Sequence, residues 1–96
     1  MIDVQFEYDQ RKNIANRSKH HVSFEEAKTV FYDEYARLIH DPDHSFNEGR
    51  FVILGLSANF RLLVVVHIYK KENETIRIIS ARKATKNETE YYQRNK

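Results

Sequence analysis

Apolar and polar positions change their spacing several times along this chain, and each change marks an element. Val4-Gln5-Phe6-Glu7-Tyr8 alternates with period two and predicts a short strand. Asp9 is suited to N-cap the next stretch, 10–19. That stretch predicts a polar surface helix whose apolar content is only Ile14 and Ala15. His20-His21-Val22 breaks it. Ser23-Phe24-Glu25-Glu26 then spells a capping box, and Phe24, Ala27, Val30 and Phe31 recur on one face of a second helix.

The second half returns to strand patterning. Strands are predicted over 36–40, 51–57, 61–69 and 75–81. Asp41-Pro42-Asp43-His44 supplies turn chemistry after the first of them, and polar loops supply the later turns. Thr85-Lys86-Asn87-Glu88 repeats the capping-box spacing and opens a C-terminal helix holding Tyr91 and Tyr92. The predicted order is β-α-α-β-β-β-β-α. Strands in series with tight loops predict an antiparallel meander, with the two N-terminal helices on one face. The fold class is α+β, as a single domain over 1–96.

Alternation within 61–69 assigns faces. Leu62, Val64, Val66 and Ile68 form a wholly apolar set expected to meet the helices. Arg61 and His67, six residues apart, share the other face and are expected on the open side. In the last strand Arg77 and Arg82 point to opposite faces unless the strand ends or bulges before Arg82. An end near Ala81-Arg82 is expected.

Composition narrows the class. At 96 residues there is one core, and 41% hydrophobic residues is too apolar for a disordered chain. The chain has no cysteine, which for a small domain points to the cytosol rather than an oxidising compartment. The N-terminus has no signal-peptide pattern, and the apolar run from Leu62 to Val66 is too short to cross a bilayer. Residues 1–50 carry 7 Lys/Arg against 10 Asp/Glu, a balance of −3, while residues 51–96 carry 9 against 4, a balance of +5. A basic second half suits a polyanion or an acidic protein partner; an ordinary mixed surface is the alternative.

Several segments together resemble the BrnT-type toxins of bacterial toxin–antitoxin pairs. They are Phe6-Glu7-Tyr8-Asp9, Lys19-His20, Val22-Ser23-Phe24-Glu25-Glu26-Ala27, Asp41-Pro42-Asp43-His44-Ser45, Arg61 to His67, and Ile76 to Thr85. Two positions depart from the family pattern. His21 stands where Gly is common, at the left-handed cap of the first helix, and Tyr8 stands where Trp is usual. The resemblance implies a RelE-like fold and a ribonuclease that halts translation. It also implies a BrnA-like antitoxin with a ribbon-helix-helix domain, through which alone operator DNA would be reached. Because such antitoxins dimerise, a homo-oligomer or a toxin–antitoxin heterotetramer is compatible with it.

RNA cleavage by its own 2′-OH needs a base, an acid and cations for the developing phosphorane charge, with no cofactor. Arg61, His67, Arg77 and Arg82 are the candidate catalytic residues. His67 has an ordinary pKa near neutrality and is the candidate acid or base. Lys19, His20, Lys83 and Tyr91 are the candidate RNA-binding residues, the tyrosine as a stacking ring. Each has a structural alternative. His67 would bond a backbone carbonyl, Arg77 would pair with Glu72 or Glu74, and Lys19 and His20 would complement the helix dipole. One of Tyr91 and Tyr92 would pack down. His40, Asp41, Asp43 and His44 read as a turn rather than a metal cluster. A non-catalytic module that binds nucleic acid or an antitoxin, such as a degenerate toxin, is the competing function.

Overall fold

The computed structural model describes residues 4–40, 49–70 and 74–96. The Asp41-Pro42-Asp43-His44 turn and Glu72 lie outside them. In chain order the elements are β1 (Gln5–Glu7), α1 (Gln10–His20), α2 (Phe24–Thr29), a 3-10 turn (Val30–Tyr32), β2 (Arg37–Ile39), β3 (Arg50–Leu56), β4 (Leu62–Lys70), β5 (Thr75–Lys83) and α3 (Lys86–Arg94). The five strands form one sheet in the order β1-β5-β4-β3-β2. β2 to β5 are the expected antiparallel meander. β1 departs from it, adding to β5 in parallel at the edge, with Glu7 beside Arg77.

Both faces of the sheet are covered. On one, Val22, Phe24, Ala27 and Val30 pack on Ile53, Leu63, Val65, Ile78 and Ala81. On the other, Tyr92 of α3 packs on Val52, Leu54, Val64 and Val66. The central strand β4 is therefore apolar on both sides, and each fully buried Val or Leu there contributes about 2 kcal/mol. The expected assignment of its faces is reversed. α1 and α2 cover the face of Leu63, Val65 and His67, while Leu62, Val64 and Val66 face α3. Alternation correctly separates the two sets, but with both faces buried it carries no mark of which helix lies over which.

Local signals set the helix ends. Asp9 caps α1 by accepting from the Arg11 N–H at 2.7 Å, and His21 closes it in the left-handed region at φ 60°. Ser23 accepts from the Glu26 N–H, but the Glu26 side chain does not reach back and is used elsewhere. Thr85 and Glu88 form a complete capping box. Gly55 permits a close approach on the α2 side, since a Cβ there would lie 2.8 Å from Val30 Cγ1 and 2.9 Å from the Ala36 Cβ.

β5 contains an irregularity with consequences for its arginines. Val66 pairs with Ser80 and His67 with Ile78, which leaves Ile79 as an extra residue. This bulge inverts the alternation beyond it. The strand also continues to Lys83 instead of ending near Ala81.

Candidate functional site

α1 docks through polar residues. Ile14, counted as apolar content, is 60% exposed, whereas Asn13 and Asn16 are buried. Asn13, Asn16 and His20 recur at i, i+3 and i+7 and share one helix face. Asn13 accepts from the Phe24 N–H at 2.8 Å and donates to the Glu25 carboxylate. The Asn16 amide donates to the Ala81 carbonyl at 2.9 Å and to the Val22 carbonyl at 2.8 Å, and its oxygen accepts from the Ala81 N–H at 3.2 Å. β1 pairs with β5 only over Thr75, Ile76 and Arg77, so Asn16 serves as the neighbour of β5 further along.

One helical turn beyond Asn16 stands His20, half-buried at the end of α1. Burial lowers its pKa below the ordinary imidazole value, and the charges of Lys19 and Arg82 and the neighbouring His21 lower it further. The ring is thereby biased to the neutral form near pH 7. The C-terminus of α1, the last residues of β5 and the N-terminus of α3 thus bring Lys19, His20 and Arg82 to one corner, with Lys83 following Arg82 in β5. There Glu88 accepts from both Arg82 Nη atoms, at 2.8 and 2.9 Å. The same carboxylate accepts from the Thr85 N–H, so the capping box also orients the guanidinium. Arg82 and Thr85 hold Glu88 below the usual carboxylate range, against a smaller opposing effect of burial.

Arg61 borders this corner. It donates to the His21 carbonyl at 3.0 Å, in the turn that follows His20. Its main partner is Glu26, which it meets through Nε at 2.9 Å and also through Nη2. Glu26 is 8% exposed and also accepts from the Ser57 hydroxyl. The pair ties α2 to the β3–β4 hairpin, and removing the arginine would leave a buried carboxylate uncompensated.

His67 is elsewhere. It shares a face with Arg61, as expected, but six strand residues separate the two by about 20 Å. That face is not open: the ring is fully buried, edge-on to Phe31 and Tyr69 and beside Phe51. Nδ1 donates to the Val65 carbonyl at 3.1 Å, so Nε2 of the neutral ring accepts from the Tyr69 hydroxyl at 3.3 Å. Burial lowers its pKa, against a smaller opposing effect of the Val65 carbonyl. The expectation of a solvent-facing His67 is corrected: the strand meets the 3-10 turn there, and the imidazole fills an aromatic niche.

Arg77 and Arg82 do share a face, because the bulge at Ile79 compensates their odd spacing: Arg77 lies opposite Ile68 and Arg82 opposite Val64. Those partners are four residues apart, which separates the arginines by about 13 Å. Arg77 pairs with Glu7 of β1 at 2.7 Å rather than with Glu74, and Lys70 reaches the same carboxylate at 3.1 Å. Of the two tyrosines Tyr92 packs down, bonded to Asp33, and Tyr91 is exposed. Tyr91 borders a groove with Leu38, Ile39, Leu54, Asn87 and Glu88. Among the described residues no three His, Cys, Asp or Glu side chains are grouped to hold a metal ion. Glu88 and Asn16 are the site residues that sequence reasoning passed over. The capping-box glutamate and the Asn13-Asn16-His20 spacing were the available signals.

No curated protein matches the chain. The 1.1 Å crystal structure of the Brucella abortus ribonuclease toxin BrnT is similar, with a TM-score of 0.66 and 18% identity, covering 86% of this chain and 99% of that one. At that identity the likeness establishes a shared fold. A family model described as the ribonuclease toxin, BrnT, of type II toxin–antitoxin systems matches residues 8–88, which include His20, Arg61, Arg82 and Glu88. The match spans most of the chain, and the protein belongs to the BrnT family of ribonuclease toxins.

Proposed function

We propose that this toxin cleaves RNA without a metal, by attack of a 2′-OH on the adjacent phosphate, at the corner formed by α1, β5 and α3. Neutral His20 takes the hydroxyl proton. Arg82 and Lys19 balance the charge that develops on the phosphorane oxygens. The P–O5′ bond breaks, the 5′-oxygen takes a proton from solvent water and leaves as an alcohol, the imidazolium returns its proton to solvent, and a 2′,3′-cyclic phosphate remains. Lys83 and Arg61 extend the cationic surface for the RNA backbone, and Tyr91 offers a ring for an unpaired base. His67 and Arg77 enter this reading as structural parts. The observation that supports it is that half-buried His20 follows Lys19 at the end of α1, which Asn16 bonds to β5 beside Arg82.

The fold is of the RelE-like kind in this reading. The partner that neutralises the toxin is a BrnA-like ribbon-helix-helix antitoxin, which also supplies contact with operator DNA and, as a dimer, joins two toxins. Cytoplasmic RNA is the substrate.

Purified protein incubated with mRNA in EDTA should yield fragments ending in 2′,3′-cyclic phosphate. His20→Ala and Arg82→Ala should each reduce cleavage roughly a hundredfold while remaining folded. Intact mRNA with folded wild-type protein would refute the metal-independent mechanism.

One observation favours a second reading. Arg61, Arg77 and Arg82 all have carboxylate partners, Glu26, Glu7 and Glu88. A chain whose arginines serve only such pairs would be a binding module, a degenerate toxin that retains its antitoxin. Such a protein would bind the antitoxin and RNA without cutting, and its induced expression would leave growth unaffected.

A further inference from the structure

We propose that Asn16 is a positioning residue for this reaction: its side-chain amide clamps the last turn of α1 to the edge of β5 and so sets His20 beside Arg82. The inference rests on the reading of His20 and Arg82 given above.

The argument begins with where the three hydrogen bonds go. Two join Asn16 to the N–H and carbonyl of Ala81, the residue before Arg82. The third joins it to the carbonyl of Val22, two residues after His20. One amide therefore binds the chain on the β5 side of the corner and on the α1 side. His20 lies four residues after Asn16, one turn on the same face, or about 5.4 Å along the helix. At about 3.3 Å per strand residue, that displacement equals between one and two residues of β5. Asn16 meets β5 at Ala81, the residue next to Arg82, whose charge acts on His20.

The groups around His20 come from several elements. Lys19 and His21 flank it in sequence, the charge of Arg82 acts on it from β5, and Glu88 of α3 holds Arg82. Arg61 fixes the His21 carbonyl from the β3–β4 hairpin. Among the described residues, Asn16 bonds both to the turn after His20 and to the β5 backbone next to Arg82. Releasing it lets the end of α1 move away, so that His20 gains solvent and loses the repulsion of Arg82.

Asn13 provides a matched control. It too is buried and makes several side-chain bonds, but to Gln10, Phe24 and Glu25, none of them in β5. Loss of either asparagine harms packing, and only loss of Asn16 should alter His20.

The test follows the His20 ring proton by NMR titration in wild type, Asn16→Ala and Asn13→Ala, and measures RNA cleavage in parallel. In Asn16→Ala the His20 pKa should rise toward its ordinary value. The acid limb of the cleavage profile should move with it, and kcat should fall roughly tenfold or more with KM unchanged. Adding His20→Ala to Asn16→Ala should then cost far less than it does in wild type. Asn13→Ala should leave the titration of His20 in place. If Asn16→Ala does not fold, Asn16→Ser, which keeps one hydrogen-bonding oxygen, carries the same expectations. A folded Asn16 variant with wild-type His20 titration and wild-type kcat would overturn the inference alone. Wild-type cleavage by His20→Ala would overturn the underlying reading, and the positioning role with it.

Discussion

At the scale of single residues, His67 has become a stability group rather than an exposed proton carrier. Its imidazole is sealed among Phe31, Phe51 and Tyr69, and burial lowers its pKa. The unfolded chain titrates this group at about 6.5, so below that pH the unfolded state holds a proton that the folded state refuses. Stability is therefore complete above about pH 6.5 and declines as pH falls toward the lowered folded value, by at most about 1.4 kcal/mol per unit. Denaturant unfolding between pH 7.5 and 5 should show this slope in wild type and a shallower one in His67→Phe. His20 adds a contribution of the same sign to both. The carboxylates with lowered values act lower still, below about pH 4.5. Equal slopes in the two proteins would show that His67 takes up its proton as readily in the fold as in the unfolded chain. Reading alone could separate the two sets of β4 residues. It could not tell that both faces of a five-residue apolar run were covered, because burial is a tertiary property that period-two alternation does not encode.

At the scale of elements, the caps were the most legible features and the docking of α1 the least. Asp9, Ser23 and Thr85 all bond where their sequence contexts predict, because capping is settled within four residues. His21 occupies the left-handed position expected of it, at φ 60°. The few apolar residues of α1 predict a surface helix, and it is held instead by two buried asparagines whose partners lie 11 and 65 residues away. No local pattern announces such partners. α3 is held more lightly, by one buried ring, its capping box and the Arg82–Glu88 pair. Thr85→Ala should cost about 1 kcal/mol and concentrate the loss at the first turn of α3. Amide exchange would report it as faster exchange of the Asn87, Glu88 and Thr89 N–H groups than of β4. An unchanged pattern would show that tertiary contacts alone hold this helix.

At the scale of the whole molecule, the imbalance of charge between the two halves of the chain is brought to a corner of the fold. Lys19 of the acidic half and Arg82 of the basic half both act on His20 there, so sequence position and spatial position disagree. Binding of single-stranded RNA by a cleavage-deficient His20→Ala protein should weaken linearly with log salt, by about 0.7 per phosphate neutralised. Lys83→Ala should flatten that slope by roughly one such increment, whereas Lys12→Ala, on exposed α1 away from the corner, should leave it alone. Equal slopes for the two lysine variants would place the RNA elsewhere. The bulge at Ile79 has a consequence of its own for how such chains are compared. It works as a phase shifter: residues before and after it obey opposite parity rules while occupying the same side of the sheet. A relative that reached the same corner with a regular strand would need its cation an odd number of positions earlier or later. Gap-free alignment across residues 77–82 would then set Arg82 against an inward-facing residue, and a conserved site would look lost.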